Sequence, residues 1–75
     1  MEKILNSKEK KVTAIIICEP PDPVSGNTAL KYSFIDCTPR GINTFLIFAA
    51  KFPTAQYINF YGKKSRNYLD RIYIH

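Results

Sequence analysis

One stretch of β-branched residues constrains the fold of this chain more than any other feature of its sequence. Residues 11–19 hold a valine, a threonine and three consecutive isoleucines, which favour a pleated strand because branching at Cβ restricts side-chain rotamers in a helix. Both faces of this strand are apolar, which indicates a central or strongly curved strand. The prolines at positions 20, 21 and 23 end it, since proline cannot donate to a strand ladder. A loop over residues 20–27 is expected to follow.

Four more segments predict strands, three of them by the alternation of apolar and polar residues. The segment 43–52 is almost wholly apolar, so periodicity does not separate a buried strand from a buried helix there. The sequence Thr38-Pro39-Arg40-Gly41 before it has the chemistry of a hairpin turn, and its aromatic content favours a strand, with a helical turn left open at its end. The predicted strands are residues 11–19, 29–37, 43–52, 56–62 and 68–75.

Five short strands in 75 residues indicate one all-β domain, a small five-stranded barrel over residues 1–75. Residues 1–10 are predicted to be a flexible arm or one turn of helix before the first strand. In strand number and spacing the chain resembles the OB-fold, a Greek-key barrel found in many single-strand-binding proteins, over residues 11–75. An SH3-like barrel is the alternative. The side chains predicted to fill the core are Ile16, Phe34, Phe45, Ile47, Ile58, Phe60 and Ile72.

The sequence carries few residues suited to catalysis or metal binding. Its acidic residues do not recur at a spacing that would pair two carboxylates on one element, and no glycine-rich phosphate loop is present. Cys18, Cys37 and the terminal His75 are too widely separated for a convincing zinc site. We therefore expect that the protein is not an enzyme and that it has no catalytic residues, no metal-binding residues and no cofactor.

The predicted cellular location depends on the absence of a membrane-spanning or signal segment from the sequence and on the state of its two cysteines. No apolar run approaches the roughly 18 residues that span a bilayer, and the basic N-terminal segment is not followed by a cleavage pattern. The expectation is a cytoplasmic protein without a membrane partner. Cys18 and Cys37 are predicted to be reduced packing residues, with a disulfide left open if their strands pair.

Basic charge is concentrated in the last third of this small basic protein. Residues 51–75 hold five basic side chains and one acidic one, which accounts for most of the net charge of +5. In the strand 56–62, Ile58 and Phe60 are expected to face the core, so that Tyr57 and Tyr61 face outward. Aromatic rings stack on unpaired bases, and lysine and arginine neutralise phosphates. The predicted nucleic-acid-binding residues are Tyr57, Asn59, Tyr61, Lys63, Lys64, Arg66, Arg71 and Tyr73.

The leading hypothesis is therefore a module that binds single-stranded DNA or RNA. Tyrosines are also common in strands because they pack well across a ladder, and a lysine-rich loop is an ordinary solvated feature. A second hypothesis is a protein-interaction or homo-oligomerisation module, a subunit or fragment of a larger assembly, that uses an edge strand or an exposed aromatic patch. The salt dependence of binding distinguishes the two hypotheses, because only phosphate binding weakens steeply as ionic strength rises.

Overall fold

The computed structural model describes residues 1–74, which form one antiparallel sheet and two helices. The strands lie in the order β2-β1-β3-β4, and each neighbouring pair is antiparallel. The apolar strand β1 is central, as its sequence predicts, and β2 and β4 are the two edges. In chain order the elements are α1 (Glu2–Leu5), β1 (Lys11–Cys18), β2 (Ala29–Asp36), α2 (Pro39–Ala49), β3 (Ala55–Gly62) and β4 (Tyr68–Tyr73).

Both helices pack against the same face of the sheet. Ile4 of α1 and Ile42 of α2 join one buried cluster with the alternate residues of β1 and β3. Phe45 of α2 meets Phe60 of β3 edge to face, with ring centroids 6.2 Å apart. The core is therefore a single layer between the helices and one side of the sheet, and within residues 1–74 the other side carries no helix.

A small β-rich domain is confirmed, but the five-stranded barrel is not. The sheet has four strands and does not close, so neither the OB-fold nor the SH3-like alternative is supported. The cause is the segment 43–52, which was predicted to be a strand and lies mostly in α2. Thr38 caps this helix, since its Oγ1 accepts a hydrogen bond from the Gly41 amide at 3.0 Å, and Pro39 occupies the first helical position. The four residues expected to make a hairpin turn are thus a helix start.

Of the seven side chains predicted to fill the core, four are buried, one is partly buried and two are exposed. Ile47, 67% exposed, lies on the outer side of α2 because the segment is a helix. Phe34 is 70% exposed, because an irregularity in the pairing of β1 with β2 turns its side chain away from the core. Ile72 is partly buried. The predicted residues that are buried are Ile16, Phe45, Ile58 and Phe60.

Of the two alternatives predicted for residues 1–10, the structure has the single turn of helix, α1, at Glu2–Leu5. Ile4 is fully buried, and its carbonyl oxygen accepts a hydrogen bond from the Cys37 thiol at 3.2 Å. Cys18 and Cys37 are both free thiols, and Cys18 is buried. None of the helices within residues 1–74 is long and apolar enough to cross a membrane.

Candidate functional site

The strand register arranges the helix-free side of the sheet, here called the open face, into three rows that run across the strands. Side chains in one row lie on neighbouring strands about 5 Å apart, and successive rows are about 7 Å apart along the strands. The first row is Ala29, Ile17, Tyr57 and Tyr73. The second row is Lys31, Ile15, Asn59 and Arg71. The third row is Thr13, Tyr61 and Tyr68.

Arg71 links the first two rows into one cluster. Its guanidinium carbon lies 4.1 Å from the centroid of the Tyr57 ring and 5.9 Å from that of Tyr73. Its Nε donates to Asn59 Oδ1 at 2.8 Å, and its Nη1 lies 3.4 Å from the Tyr73 hydroxyl. The hydrogen bond with Tyr73, followed by the neighbouring phenols, raises the pKa of Arg71 above its already high ordinary value. The cluster therefore presents a cation of fixed orientation.

Tyr73 is the ring in this cluster with the most free surface. Its centroid is 5.5 Å from that of Tyr57, with the two planes inclined by 55°. Tyr73 is 65% exposed, whereas Tyr57 is only partly exposed, with Arg71 over one face. Of the two tyrosines, Tyr73 is thus better placed to accept a flat partner.

The third row contains an aromatic pair that strand alternation does not predict. Tyr61 and Tyr68 meet edge to face with centroids 5.7 Å apart, and Tyr68 is 55% exposed. Simple alternation places Tyr68 on the opposite face from Arg71 and Tyr73. A register shift between Phe60 and Tyr61 in the pairing of β3 with β4 brings Tyr68 opposite Tyr61 instead. Nothing in the sequence pattern marks that shift.

Phe34 is a second aromatic residue that the sequence analysis did not assign to the site. The Nζ of Lys63 lies 4.4 Å from the centroid of its ring. The pairing of β1 with β2 shifts register between Val12 and Ala14, so that strand β2 holds one extra residue there. Phe34 sits in that bulge with a φ of 65°. Its ring therefore stands beside a cation from the loop that follows β3.

A shallow depression of about 310 Å³ lies on the open face between β2 and the loop that joins β3 to β4. Three cations line it, one from β2 and two from that loop, and no carboxylate does. Three hydroxyl-bearing residues also contribute to its wall. The lining residues are Thr13, Ile15, Lys31, Ser33, Tyr61, Gly62, Lys63 and Arg66.

The structure brings most of the sequence-predicted site residues onto the open face. Tyr57, Asn59, Arg71 and Tyr73 form the connected cluster, and Tyr61, Lys63 and Arg66 line the depression. Lys64 does not join them. It borders a separate recess with residues 8–11 and Lys63, and Glu9 contributes a carboxylate there.

Other chemistry is sparse in the described part of the chain. Within residues 1–74, histidine, cysteine and carboxylate side chains form no group that would hold a metal ion. The buried carboxylate of Asp22 accepts hydrogen bonds from the amide and hydroxyl of Ser25, so that it organises its own loop. No family model, no curated protein and no solved structure matches this chain.

Proposed function

We propose that this protein is a non-enzymatic binding module whose open face binds single-stranded nucleic acid, DNA or RNA. The observation that carries the proposal is the composition of the three rows. Tyrosines occupy the first and third rows, Lys31 and Arg71 stand at the two edges of the second, and no row contains an acidic side chain. In one common class of RNA-binding domain, surface aromatics on a four-stranded sheet stack two or three unpaired bases.

Each part of the open face supplies one component of such binding. Tyr73 and Tyr68, the more exposed tyrosines, offer ring faces, and stacking of a base on a ring contributes about 1–3 kcal/mol. Arg71 and the cations of the depression supply positive charge for phosphates. Asn59 holds Arg71 and retains its amide nitrogen for a base edge. Two free thiols agree with the cytoplasmic location that we propose together with this function.

A titration monitored by fluorescence anisotropy tests the proposal. Labelled single strands of mixed sequence, as DNA and as RNA, are compared with a duplex of the same sequence at two salt concentrations. The single strand is expected to bind more tightly, since pairing hides the base faces, and its log K should fall linearly with log salt by about 0.7 per phosphate contact. Absence of binding at low salt, or equal affinity for duplex and single strand, would contradict the proposal.

A second candidate function, a protein-interaction or oligomerisation module, is favoured by a different surface. Ile47 and Phe48 are exposed on α2, and an apolar groove of about 580 Å³ runs between α2 and the edge strand β2 past Tyr32 and Phe45. Exposed apolar patches of this kind mark contacts between proteins. Sedimentation over a range of concentrations tests self-association: a dimer at low and at high salt that Ile47→Glu dissociates would favour this candidate. A monomer throughout would remove homo-oligomerisation.

A further inference from the structure

We infer that the depression between Lys31, Lys63 and Arg66 binds a phosphate of the single strand, and that Phe34 is the stacking platform for the adjacent base. This inference rests on the proposed function and extends it across the sheet. The surface predicted from the sequence is confined to β3, β4 and the loop between them. Phe34 and Lys31 lie on β2, at the opposite edge.

The backbone at Phe34 has a conformation that is unusual for an aromatic residue. Its φ of 65° lies in the left-handed region, which glycine adopts readily and aromatic residues rarely. Its ring is 70% exposed, so it contributes little to the core. Both the backbone and the burial at this position thus favour a residue other than phenylalanine. Strained residues of this kind are concentrated at binding sites, where the side chain has a use that the fold does not need.

Lys63 connects the Phe34 ring with the depression. Its ammonium nitrogen stands 4.4 Å from the centre of the Phe34 ring, within cation–π range. The same lysine lines the depression. Lys63 occupies one side of the ring, so the base would stack on the rest of its exposed surface, with the charge for the neighbouring phosphate beside it.

The depression collects positive charge from two parts of the chain. Lys31 comes from β2, whereas Lys63 and Arg66 come from the loop after β3, so the fold gathers cations that are distant in sequence. Hydroxyls of Thr13 and Ser33 in the wall can donate to phosphate oxygens. The neighbouring recess that holds Lys64 is also positive, since five lysines and Glu9 line it, and it shares Lys63 with the depression. The charge of the depression is complementary to a phosphodiester.

Phe34→Gly separates stacking from folding, because glycine suits the backbone at this position. Its affinity for the labelled single strand is expected to fall by about 5- to 150-fold, the equivalent of one lost base stack. Its urea unfolding midpoint is expected to stay level or rise. For an abasic strand with the same phosphates, Phe34→Gly should bind like the wild type, since no base is present to stack.

Lys31→Ala tests the phosphate site separately. It is expected to lower the salt slope, the slope of log K against log salt concentration, by about 0.7 for the normal and the abasic strand alike. Lys51→Ala, which removes the same charge from an exposed position outside the sheet, is the matched control and should leave the slope unchanged.

The outcomes distinguish this inference from the function on which it rests. If the wild type binds single strands and Tyr73→Ala weakens that binding, but Phe34→Gly and Lys31→Ala bind normally, the inference is wrong and the proposed function stands. If Phe34→Gly weakens abasic and normal strands equally, Phe34 does not stack a base. If the wild type binds no single strand, the proposed function and this inference both fail.

Discussion

The guanidinium of Arg71 lies over the ring of Tyr57, with 4.1 Å between the guanidinium carbon and the ring centroid. The two residues are on adjacent strands, and Arg71 is held in place because its Nε donates a hydrogen bond to Asn59 Oδ1. One face of Tyr57 is therefore occupied within the protein. This arrangement changes which aromatic residue should contribute most to binding.

We expect Tyr73→Ala to weaken single-strand binding by about 1–3 kcal/mol without changing the salt slope, because it removes an exposed stacking surface. Tyr57→Ala should weaken binding less, since Arg71 already covers one face of that ring. Anisotropy titrations of both variants under the same conditions check the order. A larger loss for Tyr57→Ala than for Tyr73→Ala would show that Arg71 moves away when the strand binds.

Lys63 and Lys64 are adjacent in sequence and serve as controls for each other. Both lysines border the recess beside residues 8–11, but only Lys63 also lines the depression on the open face. Lys63→Ala should reduce the salt slope of single-strand binding by about 0.7, the contribution of one phosphate contact. Lys64→Ala removes the same charge and should leave the slope close to that of the wild type. Equal effects of the two substitutions would indicate attraction to overall charge rather than a defined contact.

Phe60 is fully buried and packs edge to face on Phe45. Phe60→Ala should lower the free energy of unfolding by about 3–5 kcal/mol through lost burial and the cavity left behind. Ile47→Ala, a truncation at a position that is 67% exposed, should change it by less than about 0.5 kcal/mol. Urea denaturation measures both. A large loss for Ile47→Ala would mean that this side chain is covered, for example by a second copy of the protein.

Gly41→Ala should destabilise the protein although the residue lies in a helix. Alanine normally favours helix over glycine by about 1 kcal/mol. Here the added Cβ would overlap the backbone carbonyl oxygen of Asp36 and approach its Cβ, and overpacking of this kind costs about 1–3 kcal/mol. Asn43→Ala at an exposed position of the same helix is the control and should be neutral or slightly stabilising. A stabilised Gly41→Ala protein would contradict the close packing of α2 against the end of β2.

Cys18 and Cys37 lie at opposite ends of β1. Lys11 pairs with Asp36, so Cys37 is beside the first residue of the strand and Cys18 is its last. At about 3.3 Å per residue the two are separated by roughly 20–25 Å, far beyond the reach of a disulfide. Addition of a reductant should leave the melting temperature unchanged. A marked drop would point to a disulfide between two molecules.

The positions of the four strands were predictable because alternation and β-branching are local properties. The predicted segments 11–19, 29–37, 56–62 and 68–75 each coincide with an observed strand to within one or two residues over the described part of the chain. The outward direction of Tyr57, Asn59 and Tyr61 follows from the same alternation. Arg71 and Tyr73 were correctly placed on one face for the same reason.

The helix α2 was missed because an apolar run satisfies strand and helix periods alike. The distinguishing signals were present in the sequence. Thr38 followed by Pro39 is typical of a helix start, and Ile42, Phe45 and Ala49 recur at helical spacing. Given that helix, the chain has one layer of helices against one sheet face, and a closed barrel is no longer needed to bury its apolar residues.

The sequence by itself thus determined the strands, the basic excess near residues 51–75 and much of the aromatic surface. Only the tertiary structure decided that Phe34 and Tyr68 join that surface, and that Lys31 meets Lys63 and Arg66 across the sheet. Each irregularity in pairing reverses the facing of the residues beyond it. Such irregularities depend on which strands become neighbours and how their side chains pack, and no local pattern in either strand specifies them.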